Sequence, residues 1–415
     1  LLTVVTVSNG NIGDTVSNPP TPGELRIDGI PTDPTASTVA PLAPLGVQFT
    51  APATTGQATG FQVSYVGDVN GDDFDDFLIS SPFSVAASGD FGLPQPSSSG
   101  RVYLVFGSQT ADPNQQVQSY LDLINTFGIP DDNILARNDR VADITQLGQL
   151  NQSTPDPSPF PPGDENYAFD GLIFQTSGTP DDQFGAAVAP AGDLNDDGFA
   201  DFAIGAPGDS NNRGRVVIVY GSATIDDFQP GFNLIDLDRN QPAPTSIDTT
   251  YIDGQLIGSR FGQAISPAGD VIADGFFDLA IGAPQASINS AAGSLVANGA
   301  VYLIDGNEFI STPPSLDLSQ FGTDATDVNG IRFAGAANGS RLGFSLARGG
   351  NFSSGSLNGQ SDLLIGAPSS PTAQELNEGR LYVVFGSPTL LSQFTTPGDD
   401  PTFFMDALSV TGGTQ

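Results

Sequence analysis

Cysteine, histidine and lysine are absent from the 415 residues, and no apolar run approaches the length of a membrane span. Without Cys there is neither a disulfide framework nor thiolate chemistry. Without His and Lys, the Ser-His-Asp and Cys-His nucleophile systems, Schiff bases, the phosphate-loop Lys and His-based zinc sites are all excluded. A helix crossing a bilayer needs about 18 or more apolar residues in a row, so no membrane insertion is expected. Residues 1–10 also lack the charged start and long apolar stretch of a signal peptide, which reads as a processed product or a piece of something longer. Positive charge is scarce: twelve basic residues, all Arg, face 47 acidic ones, for a formal net charge of −35. Such a surface repels nucleic acid and anionic lipid and favours cations, so no nucleic-acid partner is expected. A carboxylate pair is the remaining acid–base device. The Asp clusters, however, have a metal-binding explanation, and the chain reads as a non-enzyme.

What is present is turn-forming and strand-forming. Fifty Gly, 33 Pro and many short Val/Ile/Leu/Phe runs point to an all-β chain with many turns. Its organising phrase is GDLNDDGFADFAIGAP, from Gly192 to Pro207. Asp193, Asn195, Asp197 and Asp201 stand at positions 1, 3, 5 and 9 of a tight loop, with Gly198 at position 6. The carbonyl of Phe199 at position 7 completes a set of hard oxygen donors suited to Ca²⁺. An EF-hand is the rival, but position 12 is Ile204 rather than a bidentate Glu. The apolar run Phe202-Ala203-Ile204 that follows reads as a buried strand. The phrase is thus a calcium loop between two strands.

It recurs. Residues 67–82 place Asp68, Asn70, Asp72, the Phe74 carbonyl and Asp76 at the same offsets, with Asp73 replacing the position-6 glycine, which Asp tolerates because it visits the left-handed region. Residues 269–284 keep Asp270, Asp274, the Phe276 carbonyl and Asp278 but put Ile272 where Asn should be. Residues 350–368 carry three extra residues between Asn351 and Asp362. Two loops are intact, the third lacks a ligand and the fourth is degenerate. An aromatic-glycine pair and a strand precede each loop, a GRVYLVFGS-type strand follows it, and then an apolar-Asp-apolar segment: Leu121-Asp122-Leu123, Ile235-Asp236-Leu237, Leu316-Asp317-Leu318 and Met405-Asp406-Ala407. A further strand, as in GIRFAG at 330–335, completes the unit.

This order resembles the FG-GAP repeats of integrin α-subunit propellers and their bacterial relatives. The departures are Ser80-Ser81-Pro82 in place of GAP, Gly60-Phe61 in place of FG, and the third and fourth loops. The resemblance implies a β-propeller of four-stranded antiparallel blades. One such unit cannot bury both faces alone, so neighbours must stack. The small residues of GAP allow close approach, and the Phe of FG reads as an inter-blade wedge.

The expected organisation is an N-terminal half blade over 1–59, a first repeat over 60–183, a second over 184–260, a third over 261–341, and a fourth with the C-terminal segment over 342–415. First loop residues fall at 68, 193, 270 and 351, so the first step is the longest and its surplus centres on 125–170. VQSYLDLINTF reads either as a short amphipathic helix or as a home for the LDL segment. At the N-terminus, Leu2–Ser8 aligns with the VYLVFGS strand, Leu25–Asp28 with the apolar-Asp-apolar segment and Gly46–Phe49 with GIRF. Three explanations of this half unit stay open: closure of a small ring with the C-terminal segment, excision from a longer array, or completion by a neighbouring subunit into a head-to-tail fibre. The functional expectation is a calcium-stabilised, secreted, cell-surface module with an adhesive or structural role. Its partner is either another copy in a filament or an extracellular protein or carbohydrate ligand. An accessory propeller of a larger secreted hydrolase or adhesin is the alternative.

Overall fold

The computed structural model describes residues 48–50, 58–82, 100–107, 141–143, 171–176, 181–226, 234–238, 247–290, 293–318, 321–322, 328–352, 360–369, 379–391 and 402–405. The chain divides into two compact units, one of residues 1–50 with 110–144 and one of residues 51–109 with 145–415. In the first, β1 (Gln48–Thr50) pairs in parallel with β5 (Val141–Asp143). The proposed strand at Leu2–Ser8, the segment at Leu121–Leu123 and most of the 125–170 surplus lie outside the described residues.

The second unit is all-β among its described residues, apart from single helical turns. The first sheet holds β2 (Val63–Gly67), β3 (Asp76–Ser81), β4 (Arg101–Val105) and β6 (Gly171–Gln175) in an antiparallel meander. The second repeats it with β7 (Ala187–Gly192), β8 (Asp201–Ala206), β9 (Arg215–Val219) and β11 (Thr249–Asp253). The third does so with β12 (Ala264–Gly269), β13 (Asp278–Ala283), β14 (Ala300–Ile304) and β17 (Val328–Ala334). In the fourth, β18 (Ser345–Gly350), β19 (Asp362–Ala367) and β20 (Arg380–Val384) are described. The inner strands lie side by side in the order β2, β7, β12, β18.

Why the middle strands read as unbroken apolar runs is visible in their packing. The second and third sheets are each covered on both faces, so a strand's alternating side chains enter two different cores. On β9, Val217 and Val219 join the core shared with the first sheet, while Val216 and Ile218 join the core shared with the third. On β14, Ala300, Tyr302 and Ile304 face the second sheet's side and Val301 and Leu303 the fourth's. The Phe184 and Phe261 of the FG pairs, and Leu342 in the fourth repeat, are fully buried in the cores between their own sheet and the preceding one. Phe184 and Phe261 are the wedges expected from the sequence, whereas Phe61, in the reversed pair of the first repeat, is exposed.

The apolar-Asp-apolar segments do something local pattern does not reveal. Strand β10 (Leu234–Asp236), from the second repeat, adds in parallel to β6 at the outer edge of the first sheet. β15 (Ser315–Asp317) adds likewise to β11, and β21 (Thr402–Phe404) to β17, beside the short β16 (Phe321–Gly322). Each repeat thus caps the sheet before it. The β1–β5 pair has the β10–β6 register, with Phe49 opposite Ala142 as Phe174 is opposite Ile235. Val141-Ala142-Asp143 thus stands to β1 as the later capping segments stand to their sheets.

Three of the Arg residues are built into the fold rather than into surface ion pairs. Arg101 and Arg332 are buried. Arg332 donates to Thr402 Oγ1 at 2.7 Å and Gln255 Oε1 at 2.6 Å, fastening β21 to the third sheet. Arg215 bridges Asp209 and Asp253 at 3.0 Å each from a nearly buried position.

Candidate metal centres

Every loop is approached through the same device. The inner strand slips register at a β-bulge one residue before its last, between Tyr65 and Gly67, Pro190 and Gly192, Pro267 and Gly269, and Arg348 and Gly350. The closing glycine takes a left-handed backbone each time, with φ of 86°, 83°, 72° and 66°. A left-handed Gly in a bulge bends the strand sharply, and here it delivers the next residue, position 1, to the loop. Position 6 is left-handed as well: φ is 95° at Gly198, 101° at Gly275 and 70° at Asp73, so the Asp substitution is accommodated as the sequence suggested.

The first three loops share one hydrogen-bond scheme. The position-1 carboxylate accepts backbone N–H groups from across the turn: Asp68 from Gly71, Asp72 and Asp73 at 2.6, 3.1 and 2.8 Å, Asp193 from Asp197 and Gly198 at 3.0 and 2.9 Å, Asp270 from Asp274 and Gly275 at 3.1 and 3.2 Å. The position-5 carboxylates of Asp72, Asp197 and Asp274 accept the N–H of Phe74, Phe199 and Phe276 at 2.9–3.0 Å. Asn70 and Asn195 at position 3 accept the N–H of Asp72 and Asp197 at 3.3 Å. Depth is graded: position 5 is exposed, position 1 half-buried and position 9 buried.

Position 9 has a second task that the sequence did not disclose. Asp76 accepts the N–H of Val69 at 2.8 Å and of Gly107 at 2.7 Å, tying the start of the loop to the far end of β4. Asp201 does the same with Leu194 and Gly221, and Asp278 with Val271 and Gly306. In the fourth repeat residues 353–359 lie outside the described set, yet Asp362 still takes the N–H of Phe352 and Gly386. Retention of that Asp where the loop has degenerated follows from this staple.

Burial pushes the Asp76 carboxyl up to about 6, and those of Asp201 and Asp278 to about 8, against the pull of their N–H donors. Each loop therefore presents a buried carboxylate whose charge the protein alone leaves undercompensated. The donors are carboxylate, amide and carbonyl oxygens, the hard set that calcium takes. No soft or nitrogen donor is among them, so a divalent hard cation fits. Among the described residues, the acidic side chains whose oxygens converge within 4.8 Å of one another are Asp274, Asp278 and Asp305. Asp305 was not predicted. Its signal in the sequence is an acidic residue before Gly306, where the other repeats carry Phe106, Tyr220 and Phe385.

The first and third loops also touch the next sheet. The Asp68 carbonyl accepts the Ala200 N–H at 2.9 Å and the Val69 carbonyl the Ser222 N–H at 3.0 Å; Asp270 and Val271 receive Ser361 and Ser387 at 3.2 and 2.9 Å. Whatever orders the loop orders an inter-sheet contact.

Comparison with known proteins matches the FG-GAP repeat model at residues 63–105 and 184–219. Human integrin alpha-D is 34% identical over 125 residues, covering 30% of this chain and 10% of the integrin. Integrin alpha-4 of Xenopus laevis is 33% identical over 222 residues, 51% of this chain and 17% of its own. Phosphatidylinositol-glycan-specific phospholipase D of the mouse is 36% identical over 138 residues, 32% of this chain and 14% of the enzyme. The chain thus spans less than a fifth of the length of each of these relatives. With the bulge, loop and strand order now seen in successive sheets, the chain carries FG-GAP repeats of the kind it shares with integrin α-subunits.

Proposed function

We propose that this chain is a calcium-stabilised extracellular β-propeller that serves as a structural or adhesive surface module. The observation that carries the reading is the loop scheme repeated at Asp68, Asp193 and Asp270, a hard-oxygen cradle whose backbone is hydrogen-bonded into the neighbouring sheet at the first and third loops. Asp68, Asn70, Asp72, the Phe74 carbonyl and Asp76 would hold one ion. Asp193, Asn195, Asp197, the Phe199 carbonyl and Asp201 would hold a second. Asp270, Asp274, the Phe276 carbonyl and Asp278 would contribute to a third. The ion supplies positive charge against which the buried position-9 carboxylate is ionised. The side-by-side inner strands and the shared cores support a radial arrangement of blades. Similarity to integrin α-subunits supports an extracellular, non-enzymatic, ligand-binding role.

Two faces support association of this module with further blades, in this reading those of another copy. On the first sheet Val63 and Tyr65 are 70% and 62% exposed, while Val188, which matches Val63, is buried. On the fourth, Leu381 and Phe385 are 67% and 54% exposed, while the matching Val216, Val301, Phe106 and Tyr220 are buried by the sheet that follows. Sedimentation velocity and negative-stain imaging of the calcium-loaded chain test this. Species larger than one 42.7 kDa chain, lost in Val63→Glu and Leu381→Glu variants, are expected. Discrete single-chain particles throughout would remove the self-assembly and leave ligand binding. Similarity to the phospholipase favours a second reading, an accessory propeller within a larger secreted hydrolase. Catalytic activity encoded in the same open reading frame would establish it.

A further inference from the structure

The third loop differs from the first two at two positions that the fold brings together. Ile272 occupies position 3, and its side chain is buried in the core between the third and fourth sheets rather than offering an oxygen to the loop. At the end of β14, Asp305 replaces the aromatic residue of the other three repeats. The neighbouring Gly306 N–H is stapled to Asp278 at position 9, so residue 305 is held beside the loop whatever its identity. Asp305 is 6% exposed, and its carboxylate oxygens lie within 4.8 Å of those of Asp274 and Asp278. Two oxygens on one calcium ion, each about 2.3–2.6 Å from it, can be no more than about 5 Å apart. The cluster meets that bound.

Local bonding is rearranged to match. In the second and fourth sheets the residue after the stapled glycine, Ser222 or Ser387, donates its N–H to the loop of the preceding sheet. In the third, Asn307 donates instead to Asp305 Oδ1 at 2.9 Å, which fixes that carboxylate's orientation.

We propose that Asp305 is a calcium ligand of the third loop, supplying from the adjacent strand end the oxygen that Ile272 does not. The third site is then built from two segments of the sheet, Asp270–Asp278 and Asp305. Binding there couples the loop to the β13–β14 pair directly. This inference rests on the calcium reading above.

The test is calcium stoichiometry and affinity of the full-length chain by native mass spectrometry and isothermal titration. Wild type is compared with Asp305→Asn, Asp305→Phe and the double variant Ile272→Asn/Asp305→Phe, with circular dichroism as the folding control. Wild type should hold three ions. Asp305→Phe, which restores the aromatic of the other repeats, should lose one of them or weaken one by about tenfold or more, and the double variant should regain it. Asp305→Asn keeps the shape, and should weaken the same site if the phenylalanine variant fails to fold. Three ions with unchanged affinities in both single variants, or only two in wild type, would overturn this inference while leaving the other loops intact. A wild-type chain that holds no calcium would overturn the calcium reading, and this inference with it.

Discussion

Gly205, the glycine of GAP in the second repeat, gives a sharp test of how closely the sheets approach. Its backbone is not left-handed, so conformational freedom is not the reason for glycine there. Contact is. A Cβ added at Gly205 would lie 2.1 Å from the carbonyl oxygen of Gly262 in the next repeat, and one at Gly282 would lie 2.2 Å from that of Gly343. Backbone atoms on both sides leave no flexible side chain to yield. Overpacking of this kind costs about 1–3 kcal/mol. Alanine also restricts the unfolded chain, a gain of about 0.4–1 kcal/mol that offsets part of the loss. A 2.1 Å approach to backbone puts the cost at the top of that range, so Gly205→Ala should destabilise by about 2 kcal/mol net. The first repeat supplies the control, because Ser80 stands at the matching position with its Cβ already accommodated. Ser80→Ala removes one hydrogen bond, from the Gln62 N–H at 3.0 Å, and should cost only about 1 kcal/mol. Urea unfolding followed by far-ultraviolet circular dichroism measures both. Gly205→Ala as stable as wild type, or Ser80→Ala as damaging as Gly205→Ala, would refute the close-approach argument.

Two further perturbations follow. Ala273 sits at position 4 of the third loop with φ of 66°, where the first loop has Gly71 at 79°. A left-handed alanine costs about 1–2 kcal/mol, so Ala273→Gly should stabilise by about 1 kcal/mol in urea unfolding, and a loss of stability would contradict this. Burial raises the Asp182 carboxyl to about 6, with Asp209 adding to the rise and Thr176 and Phe184 opposing it. Because this folded value lies above the unfolded one, the contribution to stability is complete below about pH 4 and is lost as pH rises through about 6. At pH 8 the loss approaches about 3 kcal/mol, and Asp182→Asn escapes it while giving up about 1 kcal/mol of hydrogen bonding. The variant should exceed wild type at pH 8 and fall below it at pH 4; a difference independent of pH would contradict the assignment.

How much of this was legible in the sequence depended on distance along the chain. The loop geometry was legible because its oxygen-bearing side chains alternate within nine residues and its turns are set by residues at fixed positions. The wedge role of Phe184 and Phe261 was legible from size and repetition. The capping strands were not. A three-residue segment such as Leu234–Asp236 carries no mark of which sheet it joins, and its partner β6 belongs to the preceding repeat. Asp305 was passed over because it stands in a strand end remote from its loop, and only the staple to Asp278 brings the two together. Nothing near Arg332 in the chain marks it as buried, because its partners, Gln255 and Thr402, come from two other repeats.

The central claim is that hard-oxygen loops hold calcium and that the ion secures the stack of sheets. Thermal unfolding of the intact chain in calcium-replete buffer and in EGTA tests it most directly. At a free concentration about 100 times the dissociation constant, each occupied site adds about 2.7 kcal/mol to stability, so chelation should lower the melting temperature by many degrees. Superimposable melting curves in the two buffers would contradict the account.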